Sequence, residues 1–116
     1  MIKCNLSMVP PGGGEQDYLL QFNLPTLPSV GDFLRIRREN SEDPGAEIFC
    51  VRGVFWDLSY PSSSSFAAPD EAGTVSDIWI ECEFVRGPFM TKSHKEVCDM
   101  YEARGKKPKD LPDTMY

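Results

Sequence analysis

The amino-acid sequence predicts a mainly β, α+β fold: a five-stranded antiparallel sheet, strongly bent or curled into a small barrel, with one helix after the last strand. Three observations predict it. Apolar and polar residues alternate in short runs, the period of half-buried strands. Proline- and glycine-bearing turns separate those runs at 10–14, 39–45 and 87–89. Helical spacing of apolar residues emerges only after Ser93. At 116 residues, with 41% hydrophobic and 26% charged residues, the chain has the make-up of one domain whose core can stand without a metal or disulfide staple.

Ile2, Cys4, Leu6 and Met8 alternate with Lys3, Asn5 and Ser7, so residues 2–9 form the first strand. The ProProGlyGlyGly run at 10–14 ends it. That run is no phosphate cradle: a P-loop needs GlyLysSer or GlyLysThr opening a helix, whereas Glu15 and Asp17 lead into the alternation Leu20, Phe22, Leu24. Pro25 and Pro28 stiffen the connection to a third strand at 33–38. Here Val30, Gly31 and Asp32, followed by Phe33, Leu34, Arg35, Ile36 and Arg37, resemble the opening of SH3-like barrels. The likeness spans about a dozen residues and implies a small SH3-like barrel.

A solvated hairpin loop at 39–45 precedes the strongest strand signals, 47–60 and 76–86. In the first of these, Phe49 and Val51 carry the apolar phase before Gly53, and Val54, Trp56 and Leu58 carry it afterwards, shifted by one. A bulge at Gly53 would absorb the slip and bend the sheet. The competing reading is a central strand covered on both faces. In the second, Ile78, Ile80, Cys82 and Phe84 form the core face, with Trp79, Glu81, Glu83 and Val85 opposite. The serine-rich stretch at 61–74 reads as a low-complexity loop, and no GxSxG frames its serines. Ser93 and Glu96 stand at capping-box spacing before Val97, Met100 and Tyr101, and Gly105 is a stop signal, which predicts a helix over 94–104. Residues 1–105 are then one domain and 106–116 a polar tail.

Composition narrows the chemistry. The net charge of −6 argues against general phosphate-driven nucleic-acid binding. Apolar runs such as 48–51 are strand-sized, far below the roughly 20 residues of a membrane span. The start MIKCNLSMVPP lacks a continuous apolar core, so no secretory signal and a cytoplasmic location are expected. Cys4, Cys50, Cys82 and Cys98 are widely spread, with no CxxC, and are expected as free, reduced thiols. With His94 the sole histidine, expected at the surface, no metal site and no cofactor are predicted.

The remaining candidates are few. Glu81 and Glu83, two apart on a strand, share a face and could act as an acid/base pair; Asp57 interrupts an apolar strand. A solvated strand face explains all three more simply. Arg35, Arg37 and Arg38, with Phe33 and with Arg52 opposite, make a basic and aromatic patch able to hold phosphates and stack bases. The same arginines could instead pair with Glu39, Glu42, Asp43 and Glu47. In the absence of a clustered catalytic constellation the sequence predicts a non-catalytic protein-interaction protein. It would be an adaptor or inhibitor, of the kind a phage or mobile element carries, binding stoichiometrically to another protein with a basic surface. The contact surface is expected at a sheet edge or in the loops at 39–46 and 61–75, through Phe33, Arg35, Arg37, Arg52 and Phe66. An open sheet edge would also allow a homodimer. The alternatives are a small-barrel nucleic-acid binder using Phe33, Arg35, Arg37 and Arg52, and a small hydrolase-type enzyme using the carboxylate pair.

Overall fold

The computed structural model describes residues 1–61 and 71–112. Strands β1 (Ile2–Val9), β2 (Tyr18–Leu24), β3 (Phe33–Ile36), β4 (Glu47–Ser59) and β5 (Thr74–Arg86) form one curled sheet in the spatial order β2-β1-β5-β4-β3. Helix α1 (Lys92–Ala103) and the two-residue strand β6 (Lys109–Asp110) follow. The sheet is a half-barrel, and α1 lays Cys98 and Tyr101 into its main core beside Leu6, Met8, Phe49, Val51, Ile80, Cys82 and Phe84. No helix among the described residues is long and apolar enough to cross a membrane.

The strongly bent sheet with a C-terminal helix is what the sequence predicts, but the sheet is mixed rather than wholly antiparallel. The hairpins β1–β2 and β4–β5 are antiparallel, and they join through a parallel pairing of β1 with β5, from Asn5 opposite Trp79 to Val9 opposite Glu83. Alternation tells which face of a strand is buried and says nothing about its neighbour. The expected polar tail also differs, because Lys109 and Asp110 pair with Val85 and Arg86, making a sixth strand. That pairing seats Leu111 in a second small core with Ile48, Cys50 and Val85 on the far side of the sheet.

The bulge lies where the phase slips. Val51 faces Cys82 and Gly53 faces Glu81, leaving Arg52 as the extra residue. Val54 and Trp56 are thereby brought opposite Ile80 and Ile78, on the core side. A Cβ on Gly53 would stand 2.9 Å from the Phe55 ring, so the glycine makes room for an aromatic side chain lying across it.

Helix α1 begins two residues before the predicted start, and its N-cap is Thr91 rather than Ser93: Thr91 Oγ1 accepts from the His94 amide at 3.1 Å. Gly105, at φ 85°, ends it as expected. The Lys106 amide reaches Tyr101 O at 2.9 Å and the Gly105 amide reaches Glu102 O at 3.0 Å, the paired bonds of a Schellman cap. Arg86 ties the helix to β5 through Asp99 at 2.8 Å and Glu102 at 3.4 Å.

Candidate functional site

β4 and β5 are each 13 residues long, and β3 covers only the first part of β4, from Glu47 to Cys50. The pairing of β1 with β5 likewise starts at Trp79. From Trp56 to Ser59, and back from Thr74 to Ile78, the two strands therefore run on as a two-stranded arm, about 13 Å long at the usual strand rise. The principal extents of 53 × 31 × 27 Å and the radius of gyration of 17.4 Å, against about 13 Å for a compact domain of 100 residues, fit such a projection. At its root the Asn5 amide donates to Asp77 Oδ1 at 2.6 Å and to Ile78 O at 3.3 Å, and its own oxygen accepts from Gln21 at 3.0 Å. Polar side chains thus take over where the ladder between β1 and β5 stops.

The core-side stripe continues along the arm past the point where any other described element covers it. Val54 packs at the edge of the core, after which Trp56 is 51% exposed, Leu58 70% and Val75 49%. On the opposite face Phe55 pairs across the strands with Trp79, whose indole N–H donates to Asp57 Oδ2 at 3.0 Å. A groove of about 450 Å³ near the arm's end is lined by Leu58, Ser59, Tyr60, Gly73, Thr74 and Val75. Exposed apolar surface this contiguous is unusual outside contact sites.

Charge is distributed unevenly in the same way. Of 18 acidic and 12 basic residues, the segment 53–85 holds Asp57, Asp70, Glu71, Asp77, Glu81 and Glu83 and no lysine or arginine, so the net charge of −6 falls wholly within it. Glu81 and Glu83 are answered by Arg52, at 2.6 and 2.9 Å, and Lys109 stands 3.6 Å from Glu83. The arm itself remains aromatic and acidic.

The predicted patch is placed as follows. Phe33, Arg35 and Arg52 share the far side of the sheet, but Phe33 packs against the second core and Arg52 is held by the two glutamates. Gly13, at φ 97°, lies on the Arg52 guanidinium, where a Cβ would collide with it. Arg35 and Arg37 are exposed, and Arg38 binds Glu47. Phe66 and most of the 61–74 loop lie outside the described residues. The carboxylate pair of Glu81 and Glu83 is engaged in ion pairs rather than facing solvent freely, and Glu83 is buried. Among the described residues no three histidine, cysteine or acidic side chains are grouped to hold a metal ion. All four cysteines are free and buried.

Sequence reasoning missed a polar cluster at the other end of β4. His94 is buried, not at the surface, with its Nε2 2.9 Å from Val85 O and the Ile48 amide 3.3 Å away. Burial holds its pKa below the ordinary value, against the opposing pull of the Val85 bond. Tyr18 donates to Glu47 Oε1 at 2.5 Å, and Arg38 Nε donates to Glu47 Oε2 at 2.6 Å. Burial would push the Glu47 carboxyl up, but those bonds outweigh it and hold the pKa low. Burial and the Glu47 carboxylate together push Tyr18 well above the usual tyrosine range. Comparison with protein-family models, with curated proteins and with solved structures finds no match for the chain.

Proposed function

We propose that the chain is a non-catalytic binding protein, of adaptor or inhibitor type, and that the arm of β4 and β5 is its contact surface for a protein with a basic, partly apolar face. The observation that carries this reading is the coincidence, on one projecting element, of exposed Trp56, Leu58 and Val75 with Asp57 and Asp77, which no lysine or arginine on the element offsets. Aromatic side chains anchor interfaces, and complementary charge steers and selects the partner. A second copy of the chain is a poorer fit, since two arms side by side would bring Asp57 and Asp77 of each together. Nucleic acid fits less well still, because Arg38 and Arg52 are committed to carboxylates.

The test is affinity recovery from the cells that make the protein, using wild type and a Trp56→Ser, Leu58→Ser, Val75→Ser variant shown to be folded. One basic partner in stoichiometric amount is expected with wild type, weakened by salt and lost with the variant, while Arg35→Ala with Arg37→Ala retains it. Undiminished recovery by the arm variant would remove the arm from the interface. Sedimentation of the purified chain covers the remaining case: a dimer abolished by the arm changes would assign the surface to a second copy and overturn the reading.

A further inference from the structure

The two faces of the arm and its root carry different chemistry, and both are exposed. We propose that the arm is an insertion element: its partner receives it in a cleft with one apolar wall and one basic wall, and the chain acts by occupying that cleft, as an inhibitor does, rather than by bridging two proteins. The inference rests on the reading of the arm as the contact surface and adds to it a second face and the shape of what meets them.

Two register slips keep the faces distinct. Beyond the bulge at Arg52, Val54 stands opposite Ile80 and Trp56 opposite Ile78. Strict alternation from Ile78 would next bring Ser76 to this face. Instead Asp57 pairs with Asp77 and Leu58 with Val75, so Ser76 is the extra residue of a second bulge, its Oγ donating to Asp57 O at 2.9 Å. Val75 is thereby returned to the face of Leu58, and the apolar ladder reaches the arm's end. A bulge in each strand also interrupts the regular row of backbone groups along the edges, which tells against a partner that adds a strand there. Recognition falls to the faces.

The opposite face is arranged before any partner arrives. Phe55, 53% exposed, lies across Gly53 and opposite Trp79, whose indole is fixed by its bond to Asp57. Aromatic side chains already held in place lose little entropy on binding. Next along the arm, Asp57 and Asp77 stand directly across the strands from each other, a placement of like charges that costs the free chain stability. Among the described residues no lysine or arginine forms an ion pair with either. A basic wall relieves that repulsion, and an apolar one does not. A stable interface takes about 800 Å² from each partner, whereas one face of the arm offers only Trp56, Leu58 and Val75. A flat partner would leave either Phe55 or Leu58 in water. A cleft wide enough for two strands buries both, and clefts are where proteins keep their ligand and substrate sites.

The probe is the basic protein that the wild-type chain recovers, purified and titrated calorimetrically against variants of one face at a time: Leu58→Ser with Val75→Ser, and Phe55→Ser. Each is expected to weaken binding about tenfold or more. Asp57→Asn keeps an acceptor for the indole and removes the repulsion. It should leave the free chain no less stable, yet weaken the complex several-fold and flatten its salt dependence. Hydroxyl-radical footprinting of the unaltered chain, which depends on no variant folding, should find Phe55, Trp56, Leu58 and Trp79 all protected in the complex. Loss and protection confined to the Leu58 face would keep the arm as the contact surface and refute the cleft. Unchanged affinity and salt dependence with Asp57→Asn would remove the basic wall and overturn the inference in the same way. Protection of neither face, or recovery of no basic protein, would overturn the contact surface itself and this inference with it.

Discussion

Replacing Phe84 by alanine and, separately, Leu58 by threonine separates the apolar side chains that hold the fold from those that do not. Phe84 is 1% exposed, and its ring centroid lies 5.0 Å from Phe49, 5.2 Å from His94, 5.6 Å from Tyr101 and 6.1 Å from Tyr18. Truncating a phenylalanine in so filled a site costs about 3–5 kcal/mol. Full burial of a leucine contributes about 1.5–3 kcal/mol. With Leu58 70% exposed, less than about 1 kcal/mol is at stake there, and threonine keeps a β-branched residue in the strand. For a chain of this length 1 kcal/mol moves Tm by about 4 °C. Phe84→Ala should then lower Tm by roughly 12–20 °C and Leu58→Thr by less than about 4 °C. Calorimetry supplies Tm, and urea unfolding with an unchanged m value confirms that the native state is being compared. A Leu58→Thr loss as large as that of Phe84→Ala would show the arm's apolar face to be covered in solution, and the reasoning that makes it a free contact surface would fail.

Three further outcomes follow from the polar groups and thiols. Glu47 has a folded pKa held below its ordinary 4.5, so its contribution is complete above that pH and is lost as pH falls through the folded value. The stability gap between wild type and Glu47→Gln, from urea midpoints, should accordingly be widest near pH 7 and close in acid; a constant gap would refute the linkage. Gly13→Ala should cost about 1–3 kcal/mol, since it adds a Cβ at φ 97° against Arg52, whereas Gly12→Ala, at φ 84° with open space around it, should cost only about 1 kcal/mol. Equal losses would mean that Arg52 simply moves aside. Burial pushes the Cys82 thiol up to about 12 and Cys98 to about 11, so alkylation of the native chain at pH 8 should be slow and unfolding-limited, while denaturation without reductant releases four reactive thiols. Fast labelling of the native chain, or fewer than four thiols, would contradict this.

Much of the fold was legible because it is written in alternation. The core face of β5 reads as Ile78, Ile80, Cys82 and Phe84, and all four are buried, while Glu83 and Val85 opposite are buried as well, beside the second core. The slip at Gly53 was legible for the same reason, and the structure meets it with one extra residue, Arg52. Strand partnership was not legible. Whether β1 lies beside β5 or elsewhere depends on how two finished hairpins dock, and each hairpin has the same pattern in either arrangement. Thr91 escaped notice as the helix cap because Ser93 offered the more familiar spacing to Glu96, and only geometry shows which oxygen meets the His94 amide.

The candidate sites were less legible, and the reason is one of coverage. A period of two, interrupted by the slip at Gly53, assigns Val51, Val54, Trp56 and Leu58 to one side of β4, yet the first is buried and the last is largely exposed. What changes between them is the presence of β3, β1 and α1 overhead, a property of those elements' lengths that no window on β4 contains. His94 is the converse case. A lone histidine near a helix start reads as surface, but Thr91 starts the helix early enough for residue 94 to face inward, where Phe49 and Phe84 lie 5.3 and 5.2 Å from its ring. The arginines show that charge alone misleads in the same manner. Arg52 looked available for a partner because its neighbours in sequence are apolar, whereas its neighbours in space are Glu81 and Glu83, 29 and 31 residues on. A charged side chain on a strand is free for recognition only if the strand beside it brings no opposite charge, and along β4 and β5 that condition is met by the acids beyond the bulge rather than by the arginine within it.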